Sequence, residues 1–165
     1  CNIGDKNAME RISAIRKISK KHNFTLICRD LSELSTYAKV SNNVFRLLKN
    51  NTPGAYTFIL PATKEVPRRL MNEKKRTIGI RVPAGAIIEA LLNECSEPLL
   101  SCSLILPDHE EPENDPITIN DEIGSIVDVI VDGGVLDAMP TTVIRFEDDM
   151  PVVRRVGRGD PTPFS

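Results

Sequence analysis

Several short apolar segments of the sequence each carry a hydroxyl or a guanidinium group. In residues 77–82 isoleucine and valine alternate with Thr77, Gly79 and Arg81, and successive side chains of a β-strand point to opposite faces of a sheet. Segments of the same kind supply the other polar candidates, which are Thr57, Ser101, Ser103, Thr142 and Arg155. Because arginine offers a planar fork of donors to oxyanions and hydroxyls fix ligand orientation, we predict a sheet face that binds a phosphate- or carboxylate-bearing ligand. The alternative is that each residue occupies an ordinary exposed strand position.

These polar residues need neighbouring strands to bring them together, and the sequence pattern provides such strands. Short β-prone segments lie at residues 24–28, 56–60, 77–82, 99–105, 127–131, 142–146 and 152–156. Apolar periodicity and capping residues predict helices at 6–20, 30–38, 84–94 and 119–126, and another that begins at Ser41. Helices alternate with strands early in the chain, and strands predominate late. This order predicts one α/β domain over residues 1–165, with a twisted sheet of mixed parallel and antiparallel strands.

The charge of the chain is divided unevenly between its halves. Residues 1–81 contain 17 basic and 6 acidic side chains, whereas residues 82–165 contain 4 and 17, for a net charge of −2. The basic half favours an anionic partner such as RNA, and the candidate contacts are Lys17, Lys20, Lys21, Arg68 and Arg69. The alternative is that these side chains form solvated helix faces, which the acidic half compensates in the folded protein.

Several other classes of protein do not fit the sequence. It contains no Walker loop and no G-x-G-x-x-G turn. Its four cysteines form no C-x-x-C pair and are interpreted as reduced thiols, and its two histidines and the acidic loop at 107–111 do not predict a metal site. No apolar run reaches the ~18 residues of a membrane span, and the visible N-terminal residues carry no secretory signal pattern. These features predict a cytoplasmic protein that does not enter a membrane.

Seven segments of the sequence together resemble a known family. They are residues 7–12, 28–34, 52–60, 75–83, 97–103, 140–144 and 153–157, and they include KRTIGIRVP at 75–83 and PTTVI at 140–144. Over nearly the whole chain these segments resemble the YrdC/YciO family, which contains the threonylcarbamoyl-AMP synthases. Residues 28–83 are similar to the YciO branch in particular. The resemblance implies a sheet with a concave basic face, and a first strand that would precede Cys1.

The resemblance also implies a reaction and a set of site residues. The synthases use ATP with Mg²⁺, L-threonine and bicarbonate to form threonylcarbamoyl-AMP and pyrophosphate, and a partner protein then passes the threonylcarbamoyl group to adenosine in tRNA. The residues that match the ATP- and threonine-binding positions are Arg81, Ser103 and Arg155, followed by Arg16, Thr57, Ser101 and Thr142. The resemblance therefore implies these small molecules, and tRNA or double-stranded RNA, as partners.

Two departures from the family pattern keep the function open. The synthases carry Lys-x-Arg where this sequence has Arg16-Lys17-Ile18, and Ser-x-Asn where it has Ser103-Leu104-Ile105. Each lost directed hydrogen bond is commonly worth ~1–3 kcal/mol for charged partners, and Ile18 and Ile105 are expected to make the pocket more apolar. Three hypotheses follow: a nucleotidyltransferase of the synthase type, a hydrolase that removes threonylcarbamoyl from a modified nucleoside or tRNA, and a non-catalytic module that binds double-stranded RNA or a nucleotide.

Overall fold

A computed structural model describes residues 1–19 and 21–165, in which helices and strands alternate along the chain. The helices of this part are α1 (Lys6–Arg16), α2 (Leu31–Tyr37), α3 (Asn42–Asn51), α4 (Ala86–Glu94) and α5 (Pro116–Ile123). The strands are β1 (Thr25–Ile27), β2 (Tyr56–Pro61), β3 (Thr77–Arg81), β4 (Leu99–Ser101), β5 (Thr142–Glu147) and β6 (Met150–Arg155). Short 3₁₀ turns form at Arg68–Leu70 and Thr162–Phe164. Among the described helices, none has the length and apolar character needed to cross a bilayer.

The strands form one open sheet in the order β4-β1-β3-β2-β5-β6. The pairs β1/β3 and β2/β5 are parallel, and the other neighbours are antiparallel. The parallel pairs need crossover connections, and the helices provide them. The prediction of one α/β domain with a mixed sheet is confirmed.

One face of the sheet is covered by the apolar core. Helices α2 and α3 bury Leu34, Val44 and Leu48 in the same cluster as the inward strand side chains. Those strand side chains are Leu26, Phe58, Leu60, Ile78, Ile80, Leu100 and Ile144, each at most 2 % exposed. Because side chains alternate along a strand, the residues between them lie on the opposite face, which the core does not cover.

The C-terminal tail after β6 also belongs to the core. Phe164 is 1 % exposed, and its ring lies 5.2 Å from the ring of Tyr56 and 5.8 Å from that of Phe58. The Tyr56 hydroxyl donates a hydrogen bond of 3.0 Å to the carbonyl of Asp160. The tail therefore closes the core side of β2.

The capping residues of α2 and α3 behave as predicted. The Asp30 carboxylate accepts a hydrogen bond from the Glu33 amide at 2.9 Å, and the Ser41 hydroxyl accepts one from the Val44 amide at 3.3 Å. These caps satisfy amides that the first turn of a helix leaves without partners.

Several predicted boundaries are wrong, and one predicted strand is absent from the described chain. Helix α4 begins at Ala86 rather than 84, and α5 ends at Ile123 rather than 126. Helix α1 ends at Arg16 rather than 20 because Lys17 takes a left-handed conformation, with φ of 51°. Strand β4 ends at Ser101 rather than 105. Helix α5 begins at Pro116 rather than 119, because the Asp115 carboxylate caps the Ile117 amide at 2.9 Å. The segment at 127–131 is not a strand in the described chain, since no neighbouring strand pairs with it and a strand needs a partner.

Candidate functional site

The face of the sheet opposite the core bounds an open cavity of about 690 Å³, which we call the sheet-face cavity. All six strands contribute to it, through Thr25, Ile27, Thr57, Ile59, Thr77, Gly79, Arg81, Ser101, Val143, Arg145 and Arg155. Gly79 lies in the middle of this surface, and a Cβ there would come within 3.3 Å of the Thr25 hydroxyl oxygen and 3.6 Å of the Thr57 methyl carbon. Because Gly79 has no side chain, the space above the middle of the sheet stays open.

The cavity carries an excess of positive charge. No aspartate or glutamate of the described chain lines it, whereas five cationic side chains do: Arg16, Lys75, Arg81, Arg145 and Arg155. Arg145 is paired with Glu147 at 3.3 Å, and the other four form no ion pair with any described residue. This excess of positive charge makes the cavity attractive to anions.

Arg81 is the least compensated of these cations. Its Nε is buried and has no hydrogen-bond partner in the described chain. Burial lowers the pKa of Arg81 from its usual value, because desolvation penalises the charged form, but arginine stays protonated at neutral pH. A buried donor without a partner is costly, so the Arg81 guanidinium is suited to donate to an oxyanion.

Arg155 is held at the other side of the same face through Thr141. Its Nε and Nη2 donate to the Thr141 carbonyl at 3.2 and 3.0 Å, and the Thr141 hydroxyl lies 2.8 Å from the Thr57 hydroxyl. Strands β2 and β5 separate β3 from β6. At about 4.8 Å per strand, the backbones of Arg81 and Arg155 are thus about 14 Å apart. This separation suits a ligand of nucleotide length.

A second cavity adjoins the first and shares four residues with it. This loop-side cavity has a volume of about 610 Å³, and the shared residues are Arg81, Ser103, Thr141 and Arg155. Its remaining wall is mostly apolar, with Leu136 among its residues, and also includes Glu113 and an ion pair between Asp137 and Arg158 at 3.4 Å. Backbone amides of Asp115 and Asn114 donate to the Glu113 carboxylate and hold the pKa of Glu113 below its usual value. Three residues predicted from the sequence, Arg81, Ser103 and Arg155, therefore lie where the basic sheet-face cavity joins the loop-side cavity.

The remaining residues named from the sequence differ in whether they line the sheet-face cavity and in what they contact. Arg16 lines the sheet-face cavity and donates from Nε to the Ile105 carbonyl at 3.2 Å. Ser101 lines the cavity but uses its hydroxyl to bond the Thr25 carbonyl at 3.1 Å. Ile105 lines the cavity as expected, whereas Ile18 packs against the core. The expectation that Ile18 makes the pocket more apolar is therefore wrong.

Thr142 was predicted to face the ligand, and the structure places it on the opposite face. Its side chain is 0 % exposed. The hydroxyl donates to the Gly159 carbonyl and accepts a hydrogen bond of 2.9 Å from the Gly157 amide. Thr142 therefore fixes the C-terminal tail, and its neighbour Thr141 lines both cavities instead. Thr142 is two and four residues from Ile144 and Phe146, which are buried. Residues at this spacing share one face of a strand, so the sequence itself indicates that Thr142 lies on the core face.

Comparison with known proteins identifies the relatives of this fold and site. The sequence profile of the family Sua5_yciO_yrdC, described as "Telomere recombination", matches residues 1–157. The chain belongs to this family. The resemblance to the YrdC/YciO family is thus confirmed.

Individual members of the Sua5/YciO/YrdC family are similar to the chain to different degrees. Escherichia coli YciO, named as an uncharacterized protein, is 60% identical over 164 residues, which are 99% of this chain and 80% of YciO. Its crystal structure matches with a TM-score of 0.91 over 100% of this chain and 80% of that chain. The threonylcarbamoyl-AMP synthase of Vibrio vulnificus (strain YJ016) is 26% identical over 136 residues, 81% of this chain and 72% of the synthase. Sua5 of P. abyssi, solved with L-threonine, is 24% identical with a TM-score of 0.84 over 95% of this chain and 46% of that chain, which shows a shared fold.

In this member of the family, the basic residues proposed from the sequence to bind RNA lie away from the sheet-face cavity. Lys17, Lys21 and Arg68 are exposed and do not line it. Arg69 donates from Nη2 to the Ile3 carbonyl at 3.0 Å, which ties it to the N-terminal segment. Lys20 lies outside the described residues. The role of these side chains in RNA binding stays a prediction.

Sequence reasoning missed several residues of the sheet-face cavity. Thr141, Lys75, Arg145 and His22 all line it. Arg145 shares the strand phase of Val143, so alternation along β5 was a usable signal for it. Lys75 and His22 come from loops, whose positions depend on tertiary contacts rather than on a local pattern.

His22 makes the charge of the cavity dependent on pH. Its ring stands edge-on to Phe24, with centroids 5.6 Å apart. Burial, and then the nearby Arg16 charge, lower the pKa of His22 from its ordinary value, so the ring is neutral at pH 7 and gains a positive charge only in more acidic solution. We expect sulfate, whose own charge is constant in this range, to bind more tightly near pH 5 than near pH 7.5.

Amide chemical shifts followed during sulfate titration measure this dependence. The variant His22→Gln keeps a polar side chain of similar size that does not titrate. It is expected to bind sulfate equally at both pH values. An unchanged pH dependence in His22→Gln would assign the effect to another group.

Proposed function

We propose that the protein is an enzyme of the threonylcarbamoyl-AMP synthase type, which binds ATP, L-threonine and bicarbonate. The observation that carries this proposal is the junction of two cavities at Arg81, Ser103, Thr141 and Arg155, with the buried Arg81 Nε lacking a partner in the described chain. Family membership and the distant synthase from Vibrio vulnificus support it.

The proposed reaction joins three substrates without a protein-bound intermediate. The threonine amine attacks the carbon of bicarbonate and water leaves, which forms a carbamate. The carbamate oxygen then attacks the α-phosphorus of ATP, and the bond to pyrophosphate breaks. Arg81 and Arg155 would neutralise the phosphate and carboxylate charge that is rearranged in these steps, while Ser103 and Thr141 would orient the substrates.

Magnesium in this proposal arrives with ATP as part of the substrate. In the part of the chain that is described, no group of three or more histidine, cysteine, aspartate or glutamate side chains is arranged to hold a metal ion. Magnesium keeps several waters and binds readily through phosphates with few protein ligands, so ATP can carry the ion without a dedicated protein cage.

The proposal is tested by pyrophosphate release from ATP in the presence of bicarbonate and L-threonine. The variant Arg155→Gln is expected to lose most of the threonine-dependent rate. The matched control Arg154→Gln removes the neighbouring exposed cation, which lines neither cavity, and is expected to retain the rate. Absence of threonine-dependent release by the wild-type protein contradicts the proposal, and ATP binding without release would favour the non-catalytic module instead.

Ile105 is the departure from the synthase pattern that we expect to limit the rate. It lines the sheet-face cavity beside Arg16, at the position where the synthases place an amide. The variant Ile105→Asn should restore one directed hydrogen bond to the ligand, worth ~1–1.5 kcal/mol, and raise threonine-dependent pyrophosphate release about tenfold. The variant Ile105→Leu keeps the position apolar and serves as the control. An equal rate in Ile105→Asn and Ile105→Leu would show that position 105 does not limit the reaction.

A further inference from the structure

Two threonine hydroxyls form a hydrogen-bonded pair at the junction of the two cavities. Thr57 lies on β2 and Thr141 immediately precedes β5, and their hydroxyl oxygens are 2.8 Å apart. Strands β2 and β5 are parallel neighbours, with Tyr56 opposite Thr142, so this hydrogen bond links adjacent strands. Both side chains are half-buried. Thr141 lines both cavities, whereas Thr57 lines only the sheet-face cavity.

The Thr57 side chain turns its methyl group toward the middle of the sheet-face cavity and its hydroxyl toward β5. A Cβ at Gly79 would lie 3.6 Å from the Thr57 methyl carbon, but 3.3 Å from the Thr25 hydroxyl oxygen. The threonines on the two strands beside β3 therefore present different groups to Gly79. A ligand above Gly79 would meet the hydroxyl of Thr25 and the methyl group of Thr57, which offers no hydrogen bond.

The Thr141 hydroxyl is held between Thr57 and Arg155. Nη2 of Arg155 donates to this hydroxyl at 3.4 Å, which is longer than the usual range for such a bond. The shorter bonds of Arg155, at 3.2 and 3.0 Å, go to the Thr141 carbonyl instead. The 2.8 Å contact with Thr57 is thus the shortest hydrogen bond of the Thr141 hydroxyl in the described chain. Removing the Thr57 hydroxyl would leave the Thr141 side chain able to occupy other staggered χ1 rotamers.

We propose that Thr57 is a positioning residue, which holds the Thr141 hydroxyl at the junction of the two cavities and does not itself bind the ligand. This inference rests on the proposed function, in which Thr141 orients the substrates. It gives Thr57 a role different from the ligand-binding role that the family resemblance implies for it. A hydroxyl whose rotamer is set before the ligand arrives loses less conformational entropy on binding. Thr57 therefore acts on affinity only through Thr141.

A double-mutant cycle in ATP affinity, measured by calorimetry, tests this dependence. The variant Thr57→Val is expected to bind ATP about fivefold more weakly, which corresponds to the ~1 kcal/mol of one hydrogen bond. The double variant Thr57→Val/Thr141→Val is expected to bind ATP as Thr141→Val does, because the hydroxyl that Thr57 positions is already absent. If the two effects multiply instead, then Thr57 contacts the ligand independently and the inference is overturned.

Two further variants serve as controls. Thr57→Ser keeps the hydroxyl and is expected to bind ATP as the wild-type protein does, whereas affinity no better than that of Thr57→Val contradicts the inference. Thr25→Val makes the same substitution on the other side of Gly79, and β3 and β2 separate Thr25 from β5. Its effect on ATP affinity is expected to multiply with that of Thr141→Val, because substitutions so far apart act independently.

The Thr141 side chain can also be observed without a ligand. Three-bond couplings measured by NMR are expected to show one χ1 rotamer of Thr141 in the wild-type protein and averaging over several rotamers in Thr57→Val. A single unchanged rotamer in Thr57→Val overturns the inference, whatever the protein binds. Failure of the wild-type protein to bind ATP, together with the expected rotamer change, contradicts the proposed function and still supports the positioning role of Thr57.

Discussion

The variant Arg81→Met is expected to fold more stably than the wild-type protein and to bind ATP about a hundredfold more weakly. Methionine fills a similar volume without charge, so the unpartnered buried Nε of Arg81 no longer has to be desolvated on folding. A gain of about 1 kcal/mol corresponds to a rise in Tm of about 2–4 °C for a chain of this size. Loss of a charge-assisted hydrogen bond to a buried phosphate costs ~3 kcal/mol, which is the expected hundredfold. Calorimetry of unfolding and of ATP binding measures both effects.

The opposite signs of these two effects separate a binding role from a structural one. Arg145→Met is the matched control, because Arg145 lines the same cavity but is paired with Glu147 at 3.3 Å. It is expected to leave stability unchanged or lower it, and to weaken ATP binding less than Arg81→Met does. A fall in Tm in Arg81→Met would mean that the guanidinium stabilises the free protein, and the case for a prearranged oxyanion site would be lost.

Thr141 and Thr142 are expected to respond in opposite ways to the same substitution. Thr142→Val leaves the Gly157 amide and the Gly159 carbonyl without their buried partner, which costs about 2–3 kcal/mol and lowers Tm by about 5–10 °C. Thr141→Val removes the hydroxyl that bonds Thr57 at 2.8 Å in the cavity. That change should weaken ATP binding about tenfold and cost less than about 1 kcal/mol of stability.

Thermal unfolding and ATP titration of the two valine variants measure this contrast. Each variant is the control for the other, since the substitution is identical and the positions are adjacent. If Thr142→Val weakened binding at full stability, then the assignment of the two threonines to opposite faces of β5 would be wrong.

The alternation of side chains along the strands is enough to predict which residues of some strands face the cavity. Arg81 and Thr57 lie on the face predicted for them because each sits between buried neighbours in the sequence, and Ser101 does so because it follows the buried Leu100 on β4. The same rule was applied to Thr142 without the buried Ile144 and Phe146 that set its phase, and the prediction failed there. The sequence of β5 therefore carries the information that places Thr142 on the core face.

The other discrepancies arise from tertiary contacts. Residues 127–131 have a β-prone sequence, but pairing depends on a neighbouring strand, which no local pattern reports. The neighbouring backbone at Ile126 instead accepts a hydrogen bond of 2.9 Å from Arg11, 115 positions earlier in the chain. His22 and Lys75 reach the cavity from loops in the same way.

The C-terminal tail supports the ligand site from behind. Strands β2 and β5 present Thr57 and Val143 to the cavity, and Tyr56 and Thr142 to the tail. Proteolytic trimming that removes Gly159 and the residues after it would thus remove the packing behind two central strands while every side chain that lines the two cavities stayed in the polypeptide. An inactive preparation with an intact set of site residues would then call for mass measurement of its C-terminus before any search for a lost cofactor.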